Sequence, residues 1–384
     1  MIEIDAKLLR NQSAVFLCGE TVEVFITISN HSLPEHKISQ SNVDAMEHLA
    51  WASVQINGYC KTQQVKNIQN IQQTLPKTSL NIHENSILST EPKILFCDLR
   101  LANGESRTYY YREQIPPNSP PTFKGIDIKY YYKVTVATQR VGSRVQLLQV
   151  PIRVLPLLQI EDKIELPAPC DELTNEELSP TNPFLENDRK VVSKVEIALE
   201  NLQMITARRR PNFYVITNRR GRVGRFCLFK PSYKLGEDIV GTLDFSCRIV
   251  KSVQLSVTLQ CEEIMLTKAS KSPVTDKDAK APIGKITNFT KHHEICIGLL
   301  QTQMILPIPL HVTPSFTTDL VEVRWRLHFQ FVTTTNEELM TFDGPVDSNW
   351  GAPKEIEIET MIWNLPINLH STNPTQIFQP QIIN

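Results

Sequence analysis

Apolar positions alternate along most of this chain, and the alternation starts twice from the same kind of turn. Val22, Val24, Ile26 and Ile28 follow a Gly19-Glu20 pair, and Ile239, Gly241, Leu243 and Phe245 follow Gly236-Glu237. A period of two is that of a strand with one buried face. The bodies behind these openings correspond as well. A proline-rich element at 115–125 leads into a run in which Ile126, Ile128, Tyr130, Tyr132 and Val134 alternate. Residues 306–316 lead into a second run carrying Val321, Val323, Trp325, Leu327 and Phe329. Each half closes on a strand centred on proline, Pro151 in the first and Pro366 in the second. A pattern repeated with offsets that drift only by loop length implies tandem copies of one fold. The expectation is an all-β chain of two tandem β-sandwiches, at 1–160 and 211–372, folding separately so that a fragment ending near Leu158 is a soluble β protein.

The remaining segments fill in the connections. Ala52, Val54 and Ile56 share one side of a further strand while Trp51 faces the other way, and strands are also expected at 94–99 and 108–112. A Gln- and Asn-rich stretch at 61–90 reads as an insertion in a strand connection. Residues 161–188 hold nine acidic side chains and one lysine among four prolines, the composition of an extended acidic linker. From 189 to 207 the period becomes helical, with Val192, Val195, Leu199, Leu202 and Ile205 on one stripe and Asn187 or Asp188 as N-cap. Packing of that helix on the second sandwich is expected, with a membrane or partner groove as the other possibility. The tail at 373–384 is expected to be disordered.

The chain has 384 residues, 41% of them hydrophobic, with a net charge of −1, which suits two globular cores and gives no bulk attraction for nucleic acid. Eight cysteines stand singly, with no Cys-x-x-Cys and no histidines spaced for zinc, so reduced thiols in a cytosolic protein are expected rather than a disulfide framework. The first ten residues carry acids where a secretory signal has its basic region. No phosphate loop, nucleophile elbow or dinucleotide fingerprint occurs. His292 and His293, adjacent on a strand, point to opposite faces and cannot share a metal. No catalytic residues, metal, cofactor or small-molecule substrate are therefore expected.

Two features could serve binding. Arg208, Arg209, Arg210, Arg219, Arg220, Arg222 and Arg225 follow one another with no acid between them. They are candidates for contact with an anionic membrane or an acidic partner, unless they pair with the acidic linker. Asn182-Pro183-Phe184 matches the tripeptide recognised by Eps-homology domains, though Phe184 could equally anchor the linker to a sandwich.

The Gly-Glu openings and the Pro-x-Ser-Pro-Pro-Thr-Phe and Pro-Ser-Phe elements resemble the arrestin-like (immunoglobulin-like) sandwich pair. Residues 87–101, 182–186, 233–243 and 324–333 are similar to the family of retrograde Golgi transport proteins, over nearly the whole chain except the Gln/Asn-rich loop and residues 268–285. That family supplies the smaller, arrestin-like subunit of a heterodimeric guanine-nucleotide exchange factor. The resemblance implies a large β-propeller and solenoid subunit as partner, a Rab-six-type GTPase of the trans-Golgi as client, and a peripheral role in endosome-to-Golgi retrograde transport. An arrestin-like or retromer-like cargo adaptor binding sorting peptides is the alternative.

Overall fold

A computed structural model describes residues 2–10, 13–31, 46–62, 83–157, 194–207, 211–266, 284–335 and 355–374. Four sheets form two sandwiches. In the first, β1 (Ile2–Leu8), β3 (Thr21–Asn30) and β7 (Ser106–Gln114) make a three-stranded sheet. It faces a seven-stranded sheet of β2 (Val15–Leu17), β10 (Val145–Leu155), β9 (Ile128–Arg140), β4 (Glu47–Thr62) and β5 (His83–Ser89), with β6 (Lys93–Leu101) on β4 and β8 (Phe123–Lys124) on β9. In the second, β11 (Asn212–Asn218), β12 (Gly221–Leu228), β14 (Asp238–Asp244) and β17 (Gln301–Pro307) face a sheet of β13 (Ser232–Lys234), β20 (Ile358–His370), β19 (Val321–Thr334), β15 (Lys251–Met265) and β16 (Lys285–Ile295). The short β18 (Phe316–Thr317) pairs with β19, as β8 does with β9. The protein is thus an all-β molecule of two tandem sandwiches with the helix α1 (Lys194–Thr206) between them in sequence.

The alternating residues fill the cores. Val22, Val24, Ile26 and Ile28 are fully buried against Ala52, Val54, Ile56, Val134 and Val136, and Ile239, Leu243 and Phe245 against Leu255, Val257, Leu327 and Phe329. Each such side chain contributes about 1.5–3 kcal/mol by leaving water. Phe226, Phe329 and Trp363 add an aromatic centre to the second core, with Phe329 lying 4.9 Å from Phe226 and 4.8 Å from Trp363 between ring centroids.

The repeated Gly-Glu pairs are one device built twice. Gly19 and Gly236 take φ of +85° and +83°, which a side chain would resist. One carboxylate oxygen of Glu20 accepts the Leu17 amide at 2.6 Å, and Glu237 accepts that of Lys234 at 2.9 Å. Each carboxylate also meets a cation, Arg10 in the first turn and Lys230 in the second. The closing prolines have a shared logic too. Arg153 donates its amide to Ala14, and Asn368 to Pro231, at the points where β2 and β13 join in parallel. Pro151 and Pro366 lie two residues earlier, so their missing N–H groups fall on the same side, just before that partner begins, and no ladder bond is lost.

Three local expectations change. Ile126 precedes β9 and is 43% exposed, because the chain is still turning there. The segment at 61–90 is not all connection: Lys61 and Thr62 finish β4, and 83–89 form β5, paired from Asn57↔Ser89 to Thr62↔His83. An edge strand with polar residues on both faces lacks the alternation that betrays a central one. Helix α1 packs on both sandwiches rather than the second alone, since Val195 meets Gly19 of the first while other helix residues meet β13.

Candidate functional site

The most developed contact surface is the seam between the sandwiches. Phe123 and Phe316, from the matching Pro-x-Phe elements, meet edge to face at 5.2 Å. Around them the halves exchange hydrogen bonds. Arg153 donates to the carbonyls of Leu310 and Val312 at 3.0 and 2.8 Å, and burial pulls its pKa below the usual guanidinium value. Thr313 donates to the Thr122 carbonyl at 2.8 Å, Tyr130 and Thr318 share a bond of 3.2 Å, and Ser371 donates to the Pro156 carbonyl. Burial pushes the Tyr130 phenol up to about 12, so it stays protonated.

Glu263 is the deepest of these links. It is 4% exposed, and its carboxylate, reaching from β15, accepts the amides of Ile126, Asp127 and Ile128 at 2.6, 3.0 and 3.2 Å. Gly125 makes room, because a Cβ there would stand 2.6 Å from both carboxylate oxygens. Lys285 pairs with Asp127 beside it. Above the seam a cavity of about 1070 Å³ is lined by Leu17, Pro117, Leu157, Leu199, Leu202 and Pro314 among others, with α1 as one wall. Lys230 donates to the Thr206 carbonyl at 3.1 Å and so caps the C-terminal end of that helix.

Of the candidate arginines, Arg219 and Arg220 lie exposed in the β11–β12 turn, where Asn218 accepts the amides of Arg220 and Gly221. Arg220 pairs with Glu359 at 3.5 Å. Arg225 pairs with Asp244 at 3.1 Å and stacks 5.2 Å from Phe213, and Arg222 is half-buried. Acids distant in sequence thus meet two arginines. Arg208, Arg209, Arg210 and Asn182, Pro183, Phe184 lie outside the described residues, as do the linker acids.

Seven cysteines are described and all are free thiols. Burial raises Cys18 to about 11 and both Cys261 and Cys296 to about 12, which keeps them protonated and inert. Among the described residues no group of His, Cys, Asp and Glu is placed to hold a metal, and no helix is long and apolar enough to cross a membrane. His292 shares its face with Glu294, 3.8 Å away, while His293 is exposed. Sequence reasoning missed Glu263 and Arg153. For Glu263 the available signal was a charged residue at the parity of a core position, as in Leu255, Val257, Leu259, Cys261, Glu263, whereas Arg153 lies at the opposite parity to Ile152 and Val154 and gave no such signal.

These features define a class: an all-β protein of two sandwiches held by a continuous seam of aromatic, hydroxyl and buried charged groups. A family model described as Rgp1 matches residues 10–165 and 160–334. RAB6A-GEF complex partner protein 2 of Homo sapiens is 38% identical over 394 residues, covering 98% of this chain and 96% of its own. The Bos taurus protein of that name is 37% identical over 397 residues, covering 99% and 96%. The chain belongs to the Rgp1 family.

Proposed function

We propose that this chain is the non-catalytic partner subunit of a heterodimeric guanine-nucleotide exchange factor that activates a Rab-six-type GTPase at the trans-Golgi, in endosome-to-Golgi retrograde transport. The observation that carries this reading is near-full-length similarity to two relatives whose name states partnership in a RAB6A exchange-factor complex. The chemistry is compatible. Exchange proceeds by stabilising the nucleotide-free GTPase and needs shaped surfaces, not bond-making groups. Only differential affinity for the two GTPase states shifts the equilibrium, so the surfaces must be held rigidly. The seam supplies that rigidity within this chain, and a large propeller and solenoid subunit completes the assembly. The protein then reaches the Golgi membrane peripherally, through its partner and its own charged surfaces.

The test is release of a fluorescent guanine nucleotide from the GTPase with this chain, the large subunit, and both. Acceleration only with both is expected. Full acceleration by either alone overturns the subunit reading. Within the complex, Arg208, Arg209 and Arg210, together with Arg219, Arg220, Arg222 and Arg225, are assigned to contact with the partner or the membrane. Replacing Arg208, Arg209 and Arg210 by Glu should weaken subunit assembly or liposome binding, and unchanged behaviour in both assigns them to the acidic linker.

A further inference from the structure

The outer face of the first sandwich's large sheet carries a compact basic and aromatic cluster. Tyr59 on β4 and Tyr131 on β9 are register partners and stack at 5.2 Å, 22° from parallel. The ammonium groups of Lys61, Lys129 and Lys133 lie 5.3, 5.5 and 5.6 Å from the centre of the one Tyr131 ring. In the next rank Lys124, Lys129 and Lys61 stand directly across from one another on β8, β9 and β4, and paired residues share a face. Like charges in directly opposed positions destabilise a sheet, and the contacts with the Tyr131 ring neutralise none of that charge. Among the described residues Asp127, close in sequence, is taken by Lys285, and Glu84 stands at the position paired with Lys61. Among the described residues Lys124, Lys129 and Lys133 have no carboxylate partner, and Lys133 is steered by a 2.7 Å bond to Gln149.

We propose that this face binds the phosphorylated headgroup of a membrane lipid, with Lys124, Lys129 and Lys133 supplying charge and the stacked tyrosines a floor with hydroxyl donors. An acidic peptide spreads its charge at about 3.3 Å per residue along a strand. The ammoniums of Lys129 and Lys133, gathered at one ring beside that of Lys61 and with Lys124 in the adjacent rank, instead match a compact dianion with three acceptor oxygens. Lysine, a compact point charge, suits that geometry where a planar fork is not needed. The inference does not rest on the exchange-factor reading.

Flotation of the full-length chain with phosphatidylcholine vesicles containing a phosphoinositide tests it, against phosphatidylserine vesicles of equal surface charge and against soluble inositol phosphate. Preference for the phosphoinositide vesicles is expected. Lys129→Ala with Lys133→Ala should weaken binding about thirtyfold, at about a tenfold loss per 1.4 kcal/mol and about 1 kcal/mol per lysine, with unchanged thermal unfolding. Lys129→Arg with Lys133→Arg should retain most of it. Equal binding to both anionic vesicles, no gain over the soluble phosphate, or no effect of the alanines overturns the proposal. So does binding that appears only once the acids of 161–188 are changed to amides, since the linker is then the occupant.

Discussion

Glu263 is the single side chain on which the seam depends most. A buried carboxylate is tolerable only when its oxygens are satisfied, and three backbone amides of the opposite sandwich do this within 3.2 Å. Glu263→Gln removes the charge and turns one acceptor into a donor facing an amide, so it should cost about 1.5–3 kcal/mol in urea unfolding. Glu262→Gln is the control, since Glu262 faces Arg324 and Arg326 on the solvent side, its ion pair with Arg326 being 4.0 Å long, and should cost under about 1 kcal/mol. The thiols give a second residue-scale prediction. Cys18, Cys261 and Cys296 have folded values of about 11, 12 and 12 against an ordinary 9.0, so the unfolded chain ionises first as pH rises. Their contribution is complete below pH 9 and is lost progressively toward 11 to 12, which a pH series of melting temperatures will show as an alkaline fall. At about pH 8 a thiol reagent should label the exposed Cys97 and Cys247 and spare these three.

At the scale of elements, the duplicated turn is the clearest case of sequence dictating structure. Glycine at positive φ followed by a carboxylate that caps the amide three residues back is a local solution, and local solutions are written in adjacent residues. Glu20→Ala and Glu237→Ala should each cost about 1–2 kcal/mol. The two turns sit in different sandwiches, so the double variant should lose the sum within about 0.5 kcal/mol; a larger deficit in urea unfolding would mean that the turns are coupled. Central strands were legible for the same reason: Ile128, Tyr130, Tyr132 and Val134 alternate because one face of β9 is core. The edge strand β5 was not, since its pairing to β4 depends on backbone bonds and not on burial. Nor was the seat of α1. Its stripe of Val195, Leu199 and Leu202 shows an apolar face but not what lies opposite, and the answer is a cleft between two units far apart in sequence. Likewise the arginine run reads as unopposed only in sequence, for Asp244 and Glu359 reach Arg225 and Arg220 through the fold.

At the scale of the whole molecule, the question is how far two sandwiches with separate sheets behave as one body. The first has a core of its own, built on Val22 to Ile28, Ala52 to Ile56 and Val134 to Val154. Yet Leu17, Phe123, Ile128, Tyr130 and Leu155 belong to the apolar cluster that continues into the second. A fragment of residues 1–160 should therefore fold to a β structure by itself while leaving that apolar strip and the amides of 126–128 open to water. It should then bind a separately prepared fragment of residues 194–374, because Phe316, Glu263 and the carbonyls of Leu310 and Val312 are waiting for it. Sedimentation of the mixed fragments checks this: a one-to-one complex is expected, weakened about tenfold or more by Glu263→Gln, at 1.4 kcal/mol per factor of ten. Fragments that stay apart on mixing would show the seam to be held by tethering alone, and a first fragment unfolded by itself would show that its core is completed by the second. Rigid association matters for the proposed role, because a surface that discriminates between two states of a GTPase must keep its parts in fixed register while binding one of them.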